Sequence, residues 1–322
     1  MAYFQILGGL VLLVFAGDFL VRGSVSIAQR FGIPTILIGL TVVAFGTSAP
    51  EMVVGINAVL SGFPTLALGN VVGSNIANIW LVIGVPAIVA PMMCASPKFT
   101  QNMMIMLGVS VIFMALASTG VITMPIGLVF ILLLAAFLYF SARRAQASPN
   151  YDELLVEIDG VPDEPDGVLV SITLIIGGLV GLIIGANLLV TGSVEIARAL
   201  GVSEAVIGLT LVAIGTSIPE LVTALVAAVR KEADVALGNV IGSNIFNILA
   251  ILGASSMFGD IPVPEGFLKF DIWVMLAASL MLLPFAVFRW NLGRRAGVLF
   301  TGLYIAYIYV LAQGGSAMSG TY

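Results

Sequence analysis

Along most of the chain apolar positions neither alternate nor recur every three or four residues; they run on continuously for about 20 residues, the length a helix needs to span roughly 30 Å of hydrocarbon. Short breaks of Gly, Pro or charged residues separate the runs. This pattern predicts ten transmembrane helices, at 2–22, 35–60, 66–92, 101–118, 121–141, 169–191, 205–229, 235–258, 270–288 and 297–313. Continuous runs, as opposed to alternating ones, argue against a transmembrane barrel. The first run has neither a basic leader nor a small-residue cleavage site and reads as a mature helix. The fold class is therefore an all-α polytopic membrane protein.

Composition agrees: 322 residues, 60% hydrophobic, 9% charged, with a mean hydropathy of +1.16, far from the soluble range. The chain has no histidine and a single cysteine, Cys94. That leaves no intrachain disulfide and little for zinc, haem or His-based catalysis to use, and Cys94 reads as an apolar filler. An enzyme is not indicated.

Charge adds orientation. With the ten spans laid out in alternation, Arg22, Arg30, Lys98, Arg143, Arg144, Arg230, Lys231, Arg289, Arg294 and Arg295 fall on one side, and Arg198 and Lys269 on the other. The positive-inside rule makes the first side cytoplasmic, so both termini are extracytoplasmic. The expected location is a prokaryotic cell membrane, crossed many times.

A repeat organises the runs. Shifting the sequence by 169 residues lays GLTVVAFGTSAPE, from Gly39, on GLTLVAIGTSIPE, from Gly208, and ALGNVVGSNIANI, from Ala67, on ALGNVIGSNIFNI, from Ala236. Upstream, VRGSVSIA from Val21 faces VTGSVEIA from Val190. Each half then holds five spans; because five is odd, the second half enters the membrane from the opposite side. The expected organisation is two inverted-topology five-helix repeats, residues 1–141 and 169–322, joined by a cytoplasmic linker, 142–168. Inverted repeats of this kind are found in secondary transporters, with the substrate near the midplane. The linker holds seven acids, Asp152, Glu153, Glu157, Asp159, Asp163, Glu164 and Asp166, but lacks the ligand spacing and central Gly of a calcium loop and reads as solvated chain.

The doubled motifs carry the chemistry. Pro50 and Pro219 lack an N–H and crowd the carbonyl four residues back, so each helix breaks beside Gly46 or Gly215. Backbone broken at membrane depth is tolerated only when buried in protein or lining a wet cavity. Thr47 and Glu51 lie four apart, as do Thr216 and Glu220, which places hydroxyl, carboxylate and freed carbonyls on one face. Ser74 with Asn78, and Ser243 with Asn247, repeat the spacing with neutral groups. Hard oxygen ligands of this type suit calcium, sodium or magnesium. An acid at the centre of a span costs about 2.5–3.5 kcal/mol, and no basic residue stands at comparable depth to pair with Glu51 or Glu220. Asp18, whose repeat mate is Asn187, reads as a partner of Arg22 one turn on.

In GTSAPE with GNVVGSNIAN, and GTSIPE with GNVIGSNIFN, the chain resembles the cation/calcium exchanger superfamily, and within it the prokaryotic sodium/calcium antiporters. The resemblance covers essentially the whole chain. It implies calcium held by the carboxylates of Glu51 and Glu220 with the backbone oxygens of Thr47 and Thr216. It further implies sodium sites that share the glutamates and add Ala44, Ser48, Ser74, Ala213, Ser217 and Ser243, with the amides of Asn78 and Asn247 lining the centre. Some relatives carry Asp where this chain has Asn247, so the resemblance implies no potassium requirement here. The implied activity is sodium-for-calcium antiport by alternating access, normally extruding calcium. Proton-coupled cation exchange and, from another class, a cation channel are the alternatives. The implied partners are calcium and sodium as cargo and the surrounding bilayer, with no cofactor and no nucleic acid.

Overall fold

The computed structural model describes residues 1–30, 48–94, 97–146, 167–231 and 233–317. Nearly all of this is helix. Helix α1 (Ala2–Arg30) is followed by α2 (Ala49–Leu60) and α3 (Pro64–Ala77), and α3 continues through a π-helical stretch, Asn78–Val82, into α4 (Gly84–Val89). Then come α5 (Pro97–Ala117) and α6 (Met124–Gln146). The second half opens with α7 (Val168–Leu200), then α8 (Glu204–Ile207), a π-helical stretch Gly208–Val212, α9 (Ala213–Thr216) and α10 (Ile218–Val229). Helix α11 (Ala233–Phe246) runs through a π-helical Asn247–Leu252 into α12 (Gly253–Ser255). The chain ends with a π-helical turn Phe267–Asp271, α13 (Ile272–Met281), α14 (Leu283–Val287) and α15 (Arg294–Ala317).

Among the described residues eight helices are long and apolar enough to cross a membrane, and the bent pair formed by Glu204–Thr216 and Ile218–Val229 makes a ninth span. The remaining predicted span, 35–60, is described only from Ser48, and α2 is its second part.

Two spans are longer than their apolar runs. The first, predicted at 2–22, stays helical to Arg30, and the sixth, predicted at 169–191, stays helical to Leu200. The added turns, VRGSVSIA and VTGSVEIA, mix buried and exposed positions, so hydropathy falls while the helical pattern persists. At 1.5 Å per residue the 33 residues of α7 reach about 50 Å, which exceeds the hydrocarbon thickness, so the added turns extend past the length its apolar run can span upright. Gly201 ends it, at φ +66°, with its N–H returned to the Arg198 carbonyl.

Burial separates a centre from a periphery. The span Pro64–Val89 has 83% of its apolar window buried and Val235–Ser255 has 78%, against 11% for Met124–Ser141 and 28% for Val168–Leu200. The second motif of each repeat therefore lies in the middle of the molecule.

α1 and α7 pack antiparallel along their length. A Cβ on Gly9 would lie 2.8 Å from the Gly185 carbonyl oxygen, and one on Gly178 would lie 2.8 Å from that of Ala16. Farther along, Gly23 would meet the Ser171 carbonyl at 2.6 Å, and Gly192 that of Ala2 at 2.8 Å. Glycine is required at these four positions because the backbones touch. The 169-residue shift turns each of these contacts into its partner.

Two very short antiparallel ladders complete the fold. Strand β1 (Met92–Met93) pairs with β4 (Asn291–Leu292), and β2 (Val121–Ile122) pairs with β3 (Ile261–Pro262). Each joins a connection of the first half to one of the second, and the repeat shift carries one ladder onto the other with a one-residue offset.

Candidate functional site

The broken helix of the second half appears where proline placed it, while the segment that precedes Ser48 and Pro50 lies outside the described residues. Pro219 lies in the first turn of α10, and the chain bends by 44° between Glu204–Thr216 and Ile218–Val229. Ser217 occupies the break at φ −83°, ψ 6°; its repeat mate Ser48, ahead of Pro50 and α2, has φ −92°, ψ 5°. Both sit in the sparsely populated bridge region, between extended and helical backbone. A Cβ on Gly215 would come within 2.4 Å of the Leu10 side chain, so α1 is seated directly on the broken segment.

The break puts Glu51 and Glu220 in the first turns of α2 and α10, 2% and 1% exposed. The two carboxylates are near enough to repel one another; the hydroxyl of Thr216 faces Glu51, and those of Ser243 and Ser48 face Glu220. Among the described residues no cation pairs with either acid. Ser74 is buried one turn before Asn78, and Asn78 and Asn247 each open a π-helical stretch. π-Helical turns recur at functional sites because they redirect side chains and carbonyls off the α-helical rows. The Ala213 carbonyl, an expected sodium ligand, accepts the N–H of Ser217 at 3.1 Å. Ala44 and Thr47 lie outside the described residues.

Close backbone contact closes this region. A Cβ on Gly69 would stand 2.4 Å from the Ala205 carbonyl oxygen, and one on Gly73 would stand 2.5 Å from that of Leu209. The second motif of the first half thus lies against the first motif of the second. Across that contact Thr216 donates to Oδ1 of Asn70 at 3.2 Å, and Nδ2 of Asn70 reaches the Glu51 carbonyl at 3.5 Å.

Polar satisfaction is uneven here in a specific way. Buried oxygens of Ser48, Glu51, Ser74, Asn78, Ser217, Glu220 and Asn247 have no hydrogen-bond partner. Such groups cost free energy in a low-dielectric interior unless a ligand or ion satisfies them. Other buried polar atoms, among them those of Gln5, Ser193 and Thr301, also lack a partner, but these seven are members of the oxygen set expected from the sequence. Among the described residues no three His, Cys, Asp or Glu side chains cluster.

Sequence reasoning missed several groups. Asn70, Asn75 and Asn244 are buried beside the site and bond across the two halves; their signal was their recurrence within the doubled blocks. Asp271, at the mouth of an apolar run, is fully buried and accepts a hydrogen bond from Tyr307 at 2.9 Å. Asp18, by contrast, lies on the exposed face of α1 and is not brought to the site. Cys94 is buried, as an apolar filler would be.

A family model described as sodium/calcium exchanger protein matches residues 1–143 and 170–313. The chain is 37% identical over 309 residues to the antiporter CaxA of Alkalimonas amylolytica, covering 95% of this chain and 97% of that one. It is 35% identical over 336 residues to the sodium/calcium exchanger MaX1 of Methanosarcina acetivorans, covering 94% and 96%. Among solved structures, the sodium-calcium exchanger NCX_Mj soaked with sodium and calcium superposes with a TM-score of 0.65 at 35% identity, covering 96% of this chain and 97% of that one.

Proposed function

The chain belongs to the sodium/calcium exchanger protein family, a family of transporters and not of enzymes, and from that premise we propose that it exchanges sodium for calcium at one site built around Glu51 and Glu220. The observation that carries the reading is the set of seven buried, unpartnered oxygens, six of which form the repeat-related pairs Ser48 with Ser217, Glu51 with Glu220 and Asn78 with Asn247. Calcium is held by the two carboxylates with the backbone oxygens of Thr47 and Thr216. Sodium uses the same glutamates with Ala44, Ser48, Ser74, Ala213, Ser217 and Ser243.

Charge gives the coupling. Two carboxylates make a site of about −2, which one calcium or several sodium ions neutralise through overlapping oxygens, so the two cargoes exclude one another. An empty dianion crossing a low-dielectric barrier meets a desolvation penalty of several kcal/mol per ion, which a bound cation offsets. Loaded states change access and the empty state does not, and strict exchange follows. The motion is a sliding of α1 and α7 over a body that keeps α2 and α10; the continuous backbone contact of α1 with α7 supports their moving as a unit.

The ten-span, inverted-repeat organisation belongs to the same proposal. It is supported by the exchange of the α1–α7 contacts under the 169-residue shift and by the two stretches the family model matches. The cytoplasmic linker, the extracytoplasmic termini and the outward direction of calcium complete the reading, the first two from the ten-to-two split of basic residues.

Calcium-45 uptake into proteoliposomes with an imposed sodium gradient tests it. Outward sodium is expected to drive uptake, external sodium to compete with calcium, and a proton gradient alone to drive little. Uptake driven by the proton gradient alone reassigns the coupling ion, and calcium flux without any counter-ion makes the protein a channel.

A further inference from the structure

Four buried amides cross the centre of the molecule in two mirror-related bonds. Nδ2 of Asn78 donates to Oδ1 of Asn244 at 2.9 Å, and Nδ2 of Asn247 donates to Oδ1 of Asn75 at 3.4 Å. The repeat shift of 169 residues exchanges the two bonds. It also exchanges their outer contacts: Nδ2 of Asn75 is 3.6 Å from the sulfur of Met275, and Nδ2 of Asn244 is 3.6 Å from that of Met106. Nδ2 of Asn244 also donates to the Asn75 backbone carbonyl, at 3.3 Å.

An asparagine amide has an acceptor end and a donor end, and a thioether sulfur only accepts. The sulfurs of Met275 and Met106 therefore settle which way Asn75 and Asn244 lie, with the NH2 toward sulfur and the oxygen toward Asn247 and Asn78. Those oxygens in turn take the NH2 groups of Asn247 and Asn78, whose own oxygens are left buried and without a protein partner. Reversing either inner amide would aim an NH2, the positive end of the dipole, where a cation is to bind. It would also set two oxygens against each other at the outer asparagine.

We propose that Asn75 and Asn244 are positioning residues, each fixing an asparagine of the opposite half so that its side-chain oxygen is presented to the cation. The proposal rests on the reading of Glu51, Glu220, Asn78 and Asn247 as one cation site. It assigns Met106 and Met275, far from any ligand role themselves, as the acceptors that lock the arrangement.

The test is a double-substitution cycle on the purified full chain in proteoliposomes, with calcium-45 uptake read as apparent affinity and maximal rate separately. Asn244→Leu, close in volume but without an acceptor, is expected to raise the calcium concentration for half-maximal uptake about fivefold to tenfold, as loss of one hydrogen bond implies, with a smaller change in maximal rate. In an Asn78→Ala background the same substitution is expected to add nothing, because its effect runs through Asn78. Met106→Leu, a volume-conserving change that the fold tolerates, is expected to give a smaller shift that also vanishes with Asn78→Ala. The mirror cycle, Asn75→Leu with Asn247→Ala, repeats the test if Asn244→Leu does not yield monodisperse protein. Additive effects of Asn244→Leu and Asn78→Ala overturn the positioning role while leaving the cation site standing. Wild-type affinity in Asn78→Ala removes that residue from the site, and the positioning role falls with it.

Discussion

Glu51 and Glu220 are buried with no counter-ion among the described residues, each with one carboxylate oxygen lacking a partner. A structural acid held by hydrogen bonds tolerates replacement by an amide of the same shape, whereas a cation site that loses one of its two charges does not. Glu51→Gln and Glu220→Gln are each expected to reduce calcium-45 uptake close to background while the extracted protein stays monodisperse; near-normal uptake in either variant removes that residue from the site. These two acids were legible in the sequence because a charge inside an apolar run is conspicuous and its repetition after 169 residues is more so. Asn75 and Asn244 stood in the same doubled blocks, yet which amide bonds which is a matter of packing between halves, and no spacing along one helix reveals it.

At the scale of elements, proline made the broken span legible: Pro219 predicted a break beside Gly215, and the chain bends at Ser217. The π-helical stretches that begin at Asn78, Gly208, Asn247 and Phe267 were not legible, since an inserted helical residue leaves no compositional mark. The two-residue ladders were hidden because two residues are too few to show the alternation of a strand. Repeat symmetry does expose two local mismatches, one of them Gly120 at φ +86° against Arg289 at φ +54°, the other after α2 and α10. After α2 the chain turns at Gly62 with φ +84°, and after α10 the corresponding position is Lys231 with φ +67°. A left-handed backbone costs a residue bearing a Cβ about 1 kcal/mol, and glycine escapes that strain. Lys231→Gly is therefore expected to stabilise the protein by about 1 kcal/mol, seen as a higher midpoint in thermal unfolding of the detergent-solubilised chain, with transport unchanged. An unchanged or lowered midpoint shows that the Lys231 side chain offsets the strain through contacts of its own.

For the whole molecule, hydropathy located eight spans and a bent ninth among the described residues, but it did not indicate how firmly the halves are tied. Burial of 83% and 78% in the two central spans means that each half supplies the other's interior. The ladders join β1 to β4 and β2 to β3, so every strand among the described residues finds its hydrogen-bond partner in the opposite half. Neither half closes its own seams. Separated at the linker, fragments 1–146 and 167–322 should each be degraded when made alone and accumulate when made together, as judged by the amount of each fragment in isolated membranes. A fragment that accumulates by itself shows that its half folds without the other. On the proposed inverted arrangement, interdependence of this kind carries a genealogical consequence: a single ancestral half would have had to fold against a second copy of itself, inserted the other way up, and the duplication would have turned a partnership between separate chains into one inherited unit.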